Sequence, residues 1–249
     1  MKSQNYYLDH LQSSEYIESR EEKAQLICKI LSGKITDQVN NIADLGSGSG
    51  LIKNILEKKW HRSVLGIEYE RSAIKDNTNV CVGDVSEMPL KGDSLDLAIC
   101  NHLYEHIPDK AGFLKEIKRV LKNDGTIYFT VCNKYKIIEP HYRLPFLSWI
   151  PLPAANIYLK VTGRGSDYSD IKFYSYKQLQ EAFEAHGFIF NNLTWEVITL
   201  NPDKVGPLTR ALVGLAGALP KSLIKYFIEK LSPQWFLLIT KKSHINKTA

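Results

Sequence analysis

The sequence predicts an α/β protein built on a doubly wound, mostly parallel sheet of seven strands that carries two insertions. Three observations lead there. Short apolar strands alternate with helical connections from about residue 41 to about residue 131, the pattern of a parallel sheet covered on both faces. The first of these strands runs into a glycine-rich turn, Asp44-Leu45-Gly46-Ser47-Gly48-Ser49-Gly50, which opens directly into a helix. Finally, 249 residues, 44% hydrophobic and 24% charged, can bury a full core, which excludes disorder, a collagen-like chain and a disulfide mini-scaffold.

The elements follow in order. Tyr16, Ile17, Ala24, Ile27, Cys28 and Leu31 recur at helical spacing and predict a helix over Glu15 to Ile35, with Gly33 as its stop signal. A strand over Asn41 to Leu45 leads through the glycine turn to a helix over Leu51 to Lys58. Strands are then predicted at Ser63 to Glu68, Asn79 to Gly83, Ser94 to Cys100 and Gly125 to Val131, with helical segments at Arg71 to Lys75, Met88 to Leu90 and Ala111 to Leu121.

After Val131 the rhythm breaks. Asn133 to Lys172 holds Pro140, Pro145, Pro151 and Pro153 and shows no clean periodicity, so a first insertion is placed at about 133–174. A helix over Ser175 to His186 and strands at Phe188 to Ile198 and Gln234 to Thr240 complete the core. A second insertion at about 200–233 holds a helical stretch, Gly206 to Leu231, with Leu208, Leu212, Leu215, Leu219, Leu223, Phe227 and Leu231 along it. The whole, 1–249, reads as one decorated domain with a frayed tail over Ser243 to Ala249.

Charge is distributed unevenly. Residues 1–132 hold 17 Lys and Arg against 19 Asp and Glu, whereas residues 133–249 hold 15 against 8, so the back half is basic. Such a half suits an acidic partner, either nucleic acid or an anionic membrane surface. Cys28, Cys81, Cys100 and Cys132 form no Cys-x-x-Cys pair and fall in apolar stretches, which suits reduced core thiols. With no apolar run behind Lys2, a cytoplasmic location is expected.

The glycine turn narrows the ligand. A dinucleotide fingerprint would put its third glycine at position 51, where Leu51 stands, and no Gly-Lys-Ser/Thr follows for a phosphate loop. Three acids, Asp44, Glu68 and Asp84, end three successive strands, a poor arrangement for a pyrophosphate and a good one for a cationic nucleoside.

Together with Ser94 to Asp109 and Phe113 to Gly125, these segments resemble the class I S-adenosylmethionine-dependent methyltransferases, in particular the small-molecule and lipid branch that includes quinone-biosynthesis enzymes. The resemblance implies the Rossmann-like methyltransferase fold and S-adenosylmethionine as cofactor. It implies that Gly46, Gly48 and Gly50 bed the methionine end of the cofactor, with Asp44 supporting the loop and the ammonium region. Glu68 would hold the ribose hydroxyls, Asp84 and the Val85 backbone the adenine, with Met88 on its face, and Asn101 would close the pocket.

Methyl transfer from a sulfonium needs alignment and water exclusion, and a base only for some acceptors. His102, Tyr104, His106, His141 and Tyr142 are the candidates for that work. His102 and His106 stand four apart, a metal-ligand spacing, but no third ligand is evident and no metal is expected.

The insertions carry the substrate preference. Leu144 to Leu159 is uncharged for sixteen residues and is too short and proline-rich to span a membrane, so it reads as a lid or an interfacial loop. Arg210, Lys221, Lys225 and Lys230 give the second insertion a basic side, suited to a lid, a dimer contact or an anionic membrane. The expected function is methyl transfer to a hydrophobic small molecule or lipid-linked acceptor. Transfer to RNA or protein, and cofactor binding without turnover, are the competing readings, with no RNA-binding module visible to favour the former.

Overall fold

The computed structural model describes residues 13–75, 78–200, 214 and 220–242. Seven strands form one sheet in the order β3-β2-β1-β4-β5-β7-β6. The chain divides into two compact units, one of residues 1–101, 109–128 and 240–249, the other of residues 102–108 and 129–239, so the division falls inside the fifth and the last strands of the chain.

The first unit opens with α1 (Ser14–Ile30), capped by Ser13, whose side chain accepts from the Tyr16 amide. Ala24 and Ile27 are fully buried along its inner face. The helix stops at Ile30, not Ile35, because Gly33 adopts a left-handed φ of 78°. There follow β1 (Ile42–Leu45), α2 (Leu51–Trp60), β2 (Val64–Glu68), β3 (Val80–Val82), β4 (Leu95–Asn101), α3 (Lys110–Val120) and β5 (Leu121–Cys132). All four residues of β1 are buried, as a central strand covered on both faces requires. It pairs in parallel with β2, Asp44 opposite Gly66, and with β4, Leu45 opposite Cys100. The strand order therefore reverses beside β1, and the crevice outside its carboxyl end is where open α/β sheets bind ligands.

The second unit holds α4 (Leu152–Val161), α5 (Tyr176–Ala185), β6 (Phe188–Asn192), α6 (Thr194–Leu200), α7 (Lys221–Leu231) and β7 (Gln234–Lys241). Ser175 and Gln178 form a capping box on α5. An aromatic cluster joins Tyr104, Phe129 and Phe183, with ring centroids 5.2–5.7 Å apart. A separate core, Cys132, Leu144, Leu147, Ala155, Leu159, Tyr168, Ile171 and Phe173, organises the first insertion.

Several sequence expectations change. The strand expected over Phe188 to Ile198 stops at Asn192, and the Asn192 side chain accepts from the Thr194 amide to start α6. Met88 to Leu90 is a turn: Arg119 donates to the Met88 and Leu90 carbonyls, which a helix would have kept for itself. The first insertion is more ordered than its prolines suggest, because Pro151 caps α4 and Pro153 lies in its first turn, where a missing N–H costs nothing. The four thiols are free, yet only Cys100 and Cys132 are buried, Cys28 and Cys81 being half-buried. Of the helix expected over Gly206 to Leu231, α7 accounts for Lys221 to Leu231. Leu208, Arg210, Leu212, Leu215 and Leu219 lie outside the described residues, as does the tail. No helix among the described residues is long and apolar enough to cross a membrane.

Candidate active site

In the first unit the glycine turn is built by three left-handed residues, Gly46, Gly48 and Gly50, with φ of 66°, 55° and 80°. The Gly46 and Ser47 amides both donate to the Ile67 carbonyl, at 2.8 and 3.1 Å, laying the turn over the end of β2. That close approach depends on Gly66, since a Cβ there would sit 2.8 Å from Ser47 Oγ. The Gly48 amide donates to Glu68 Oε2 at 2.7 Å, and Glu68 Oε1 accepts from the Glu70 amide at 2.9 Å. Each carboxylate oxygen keeps a second lone pair for a ligand hydroxyl.

Asp44 is the electrostatic centre. It is 3% exposed. Burial pushes its pKa up to about 7, with Glu68 adding to the rise and Arg20 and Lys53 opposing it. A buried carboxyl in that state is complemented by a cation. Ser47 Oγ is likewise buried without a partner. Left-handed glycines, a buried acid, a half-exposed Glu68 and a buried hydroxyl without a partner among the described residues together fit a polar, cationic nucleoside cofactor.

The remaining cofactor candidates divide. Val85 and Met88 are buried, at 8% and 3% exposure. Asp84 is exposed and accepts from the Ser86 amide at 2.7 Å, so it already closes a turn beside any ligand role. Asn101 ends β4, half-buried. Sequence reasoning passed over Tyr16 and Arg20. The Tyr16 hydroxyl lies 3.4 Å from Ser49 Oγ, and the Arg20 guanidinium stacks 4.6 Å from the Tyr16 ring centroid. Their i,i+4 spacing on α1 was the available signal.

The candidate catalytic residues all fall in the second unit. Tyr104 is fully buried within the aromatic cluster, so it packs rather than presents. The Tyr142 hydroxyl donates to the Asp167 carbonyl at 3.1 Å. His102 takes a left-handed φ of 54°, and its Nδ1 lies 3.3 Å from Glu105 Oε1 and 3.8 Å from Cys132 Sγ. These three bring one possible ligand atom each within 4.8 Å of one another, so Glu105 and Cys132 supply the companions for His102 that were not evident from the sequence, in a group that could hold a metal ion. His106 Nε2 lies 3.2 Å from His141 Nε2, and His141 Nδ1 lies 2.7 Å from Glu139 Oε1.

Residues 43–129 match the family described as a methyltransferase domain. The chain is 22% identical over 169 residues to a ubiquinone biosynthesis O-methyltransferase of Neisseria meningitidis, covering 57% of this chain and 70% of that protein. It is 25% identical over 131 residues to the protein of the same name from Coxiella burnetii, covering 46% and 55%. Among solved structures, phosphoethanolamine N-methyltransferase 2 of Haemonchus contortus, in complex with S-adenosyl-L-methionine, superposes with a TM-score of 0.55 at 16% identity, over 95% of this chain and 60% of that one. A SAM-dependent methyltransferase from Archaeoglobus fulgidus gives 0.53 at 17%, over 92% and 100%, and these likenesses show the shared fold. With the glycine turn, the acid-lined strand ends and most of the matched residues in one unit, the chain carries a methyltransferase domain over residues 43–129 and is an S-adenosylmethionine-dependent methyltransferase, with S-adenosylmethionine as its cofactor.

Proposed function

We propose that the enzyme methylates a hydrophobic small molecule or lipid-linked acceptor and works in the cytoplasm, peripheral to an anionic membrane. One observation carries this reading. The first insertion exposes Ile138, Phe146, Trp149, Leu152, Ile157 and Val161, at 42–80% exposure, on one continuous loop-and-helix segment. Ile138 pairs with Pro145, and the Phe146 and Trp149 rings meet edge-on at 5.0 Å, so these side chains are presented by ordered backbone. The insertion also carries Lys134, Lys136, Arg143, Lys160, Arg164 and Lys172 against three acids, the fully buried Glu139 and the exposed Asp167 and Asp170. Exposed apolar side chains on a segment with an excess of cations suit an anionic interface.

The second insertion is a weaker candidate for that surface. Lys225 pairs with Glu196 at 2.9 Å and Glu229 at 3.4 Å, and Lys230 sits 4.0 Å over the Tyr176 ring, so two of the three lysines expected to face lipid serve the fold. Ile224 and Ile228 are buried beside Ile198. The names of the Neisseria and Coxiella relatives, which refer to ubiquinone biosynthesis, also favour an apolar acceptor.

When bound, the cofactor supplies an electrophilic methyl group. Asp44, Glu68 and the glycine turn would hold it. The deciding experiment is co-sedimentation with phosphatidylglycerol vesicles, followed by transfer of labelled methyl to a lipid extract or to RNA. Salt-sensitive vesicle binding and label in the lipid extract support the reading; label in RNA alone overturns it.

A further inference from the structure

His102, Glu105 and Cys132 come together inside the second unit, the first two from the loop that follows β4 and the third from the last residue of β5. Backbone bonds hold each in place. The His102 amide donates to the Thr130 carbonyl at 3.0 Å, and the Lys172 amide donates to the Glu105 carbonyl at 2.9 Å. The amide of Asn133, next to Cys132, donates to the Pro233 carbonyl at 3.0 Å. The buried Tyr104 ring, packed on Phe129, anchors the turn that carries Glu105.

The separations are those of a coordination sphere. His102 Nδ1 lies 3.3 Å from Glu105 Oε1 and 3.8 Å from Cys132 Sγ, and the three ligand atoms all lie within 4.8 Å of one another. A good N–H···O bond is shorter, at about 2.7–3.2 Å. In a tetrahedral zinc site, with bonds of about 2.1 Å to nitrogen and oxygen and about 2.3 Å to sulfur, the nitrogen–oxygen and nitrogen–sulfur edges are about 3.4 and 3.6 Å. A second observation points the same way. Glu105 is 2% exposed, and its Oε2 is buried with no hydrogen-bond partner among the described residues. The imidazole faces one carboxylate oxygen, and a cation would meet what it leaves unmet.

We infer that His102, Glu105 and Cys132 are a binding site for a divalent metal ion of the zinc class. The donor set selects the ion: magnesium and calcium take oxygen ligands, whereas a thiolate beside an imidazole and a carboxylate suits zinc. On binding, the Cys132 thiol releases its proton to water and its sulfur donates an electron pair to the metal. Thiolate and carboxylate then carry two negative charges against the two positive charges of the ion, and neutral His102 adds none. Glu105 and Cys132 are buried and His102 is half-buried, so the ion enters from the His102 side, where water fills the fourth position. The bound ion clasps the loop after β4 to the end of β5. Sequence spacing hid the third ligand, because Cys132 stands 30 positions from His102.

The test uses the full chain, stripped with a chelator and titrated with Co2+, whose spectrum reports its ligands. A single equivalent should produce a near-ultraviolet thiolate-to-cobalt charge-transfer band and the intense visible bands of four-coordination. Equimolar Zn2+ should abolish both, and excess Mg2+ should leave them unchanged. C132S should lose the charge-transfer band, whereas C28S with C81S, which removes the two half-buried thiols, should keep it. H102Q and E105Q should each weaken cobalt binding about 100-fold or more, the upper end of what changes outside a coordination sphere produce. X-ray absorption on the unaltered chain loaded with one equivalent of Zn2+ needs no variant to fold. It should show a single sulfur at about 2.3 Å with nitrogen and oxygen neighbours at about 2.0–2.1 Å. Folded protein that gives no charge-transfer band, a band that survives in C132S, or a zinc sphere with no sulfur or two overturns the site.

Discussion

The amide of Gly48 donates to the carboxylate of Glu68 across 2.7 Å, so the glycine turn and the end of β2 are one hydrogen-bonded unit. Glu68 thereby does two jobs, pinning the turn and presenting its remaining lone pairs. Glu68→Ala should weaken S-adenosylmethionine binding by about 1 to 3 kcal/mol, the cost of unmet buried polar groups. Glu68→Gln should fall between, because one oxygen survives. Titration calorimetry on folded protein measures both.

Asp44 makes cofactor affinity depend on pH. Its pKa of about 7 lies above the usual carboxyl value, so it binds a proton in the folded chain over a range in which the unfolded chain has lost it. Stability of the cofactor-free protein therefore falls as pH rises from about 4 to 7, by at most ~4 kcal/mol from this group. A cationic ligand prefers the ionised form, so affinity should rise between pH 6 and pH 8. Asp44→Asn should flatten that profile, bind more weakly and melt higher above pH 7. Calorimetry at several pH values, paired with thermal melts, separates the two effects.

Gly66→Ala tests the seat of the turn. The added Cβ would meet Ser47 Oγ at 2.8 Å and Val80 Cγ2 at 3.1 Å, forcing the turn off β2. A loss of roughly 1 to 3 kcal/mol in stability is expected from overpacking, together with weaker cofactor binding. Gly163→Ala, where a Cβ would meet nothing within 4 Å and only the left-handed φ of 64° is strained, should cost stability without weakening cofactor binding.

Charge reversal distinguishes the two insertions. Lys160→Glu with Arg164→Glu should reduce sedimentation with phosphatidylglycerol vesicles and leave the melting temperature nearly unchanged. Lys225→Glu should act on stability instead, because it sets a like charge beside Glu196 and Glu229. The loss should be about 1 kcal/mol at this exposed site, read by denaturant unfolding.

The first half of the chain was legible because its signals are local. A four-residue apolar strand, a turn whose glycines need positive φ and an acid at each strand end are all written in consecutive residues. The second half hid its structure in relationships that sequence spacing does not encode. Nothing in Ile189 to Ile198 announces that Asn192 will cap a helix, and its β-branched residues read as strand. His106 and His141 were both candidates, but their contact spans 35 positions and the acid behind them, Glu139, looked like one more loop charge. Tyr104 shows the opposite error: a polar ring beside two histidines reads as chemistry, yet its aromatic neighbours come from Phe129, Tyr174 and Phe183.

The brevity of β3 bears on how molecules of this enzyme meet one another. It closes the sheet order at one side with three residues, Val80 to Val82, before Gly83 and the exposed Asp84. An outer strand so short offers few backbone groups on which another chain could add a strand, and β6, the outer strand at the other side, has only five residues. Any self-association in concentrated solution should therefore run through apolar side chains such as Trp149 and Val161. Mild detergent should disperse it, with no change in the far-ultraviolet dichroism that templated strand growth would produce.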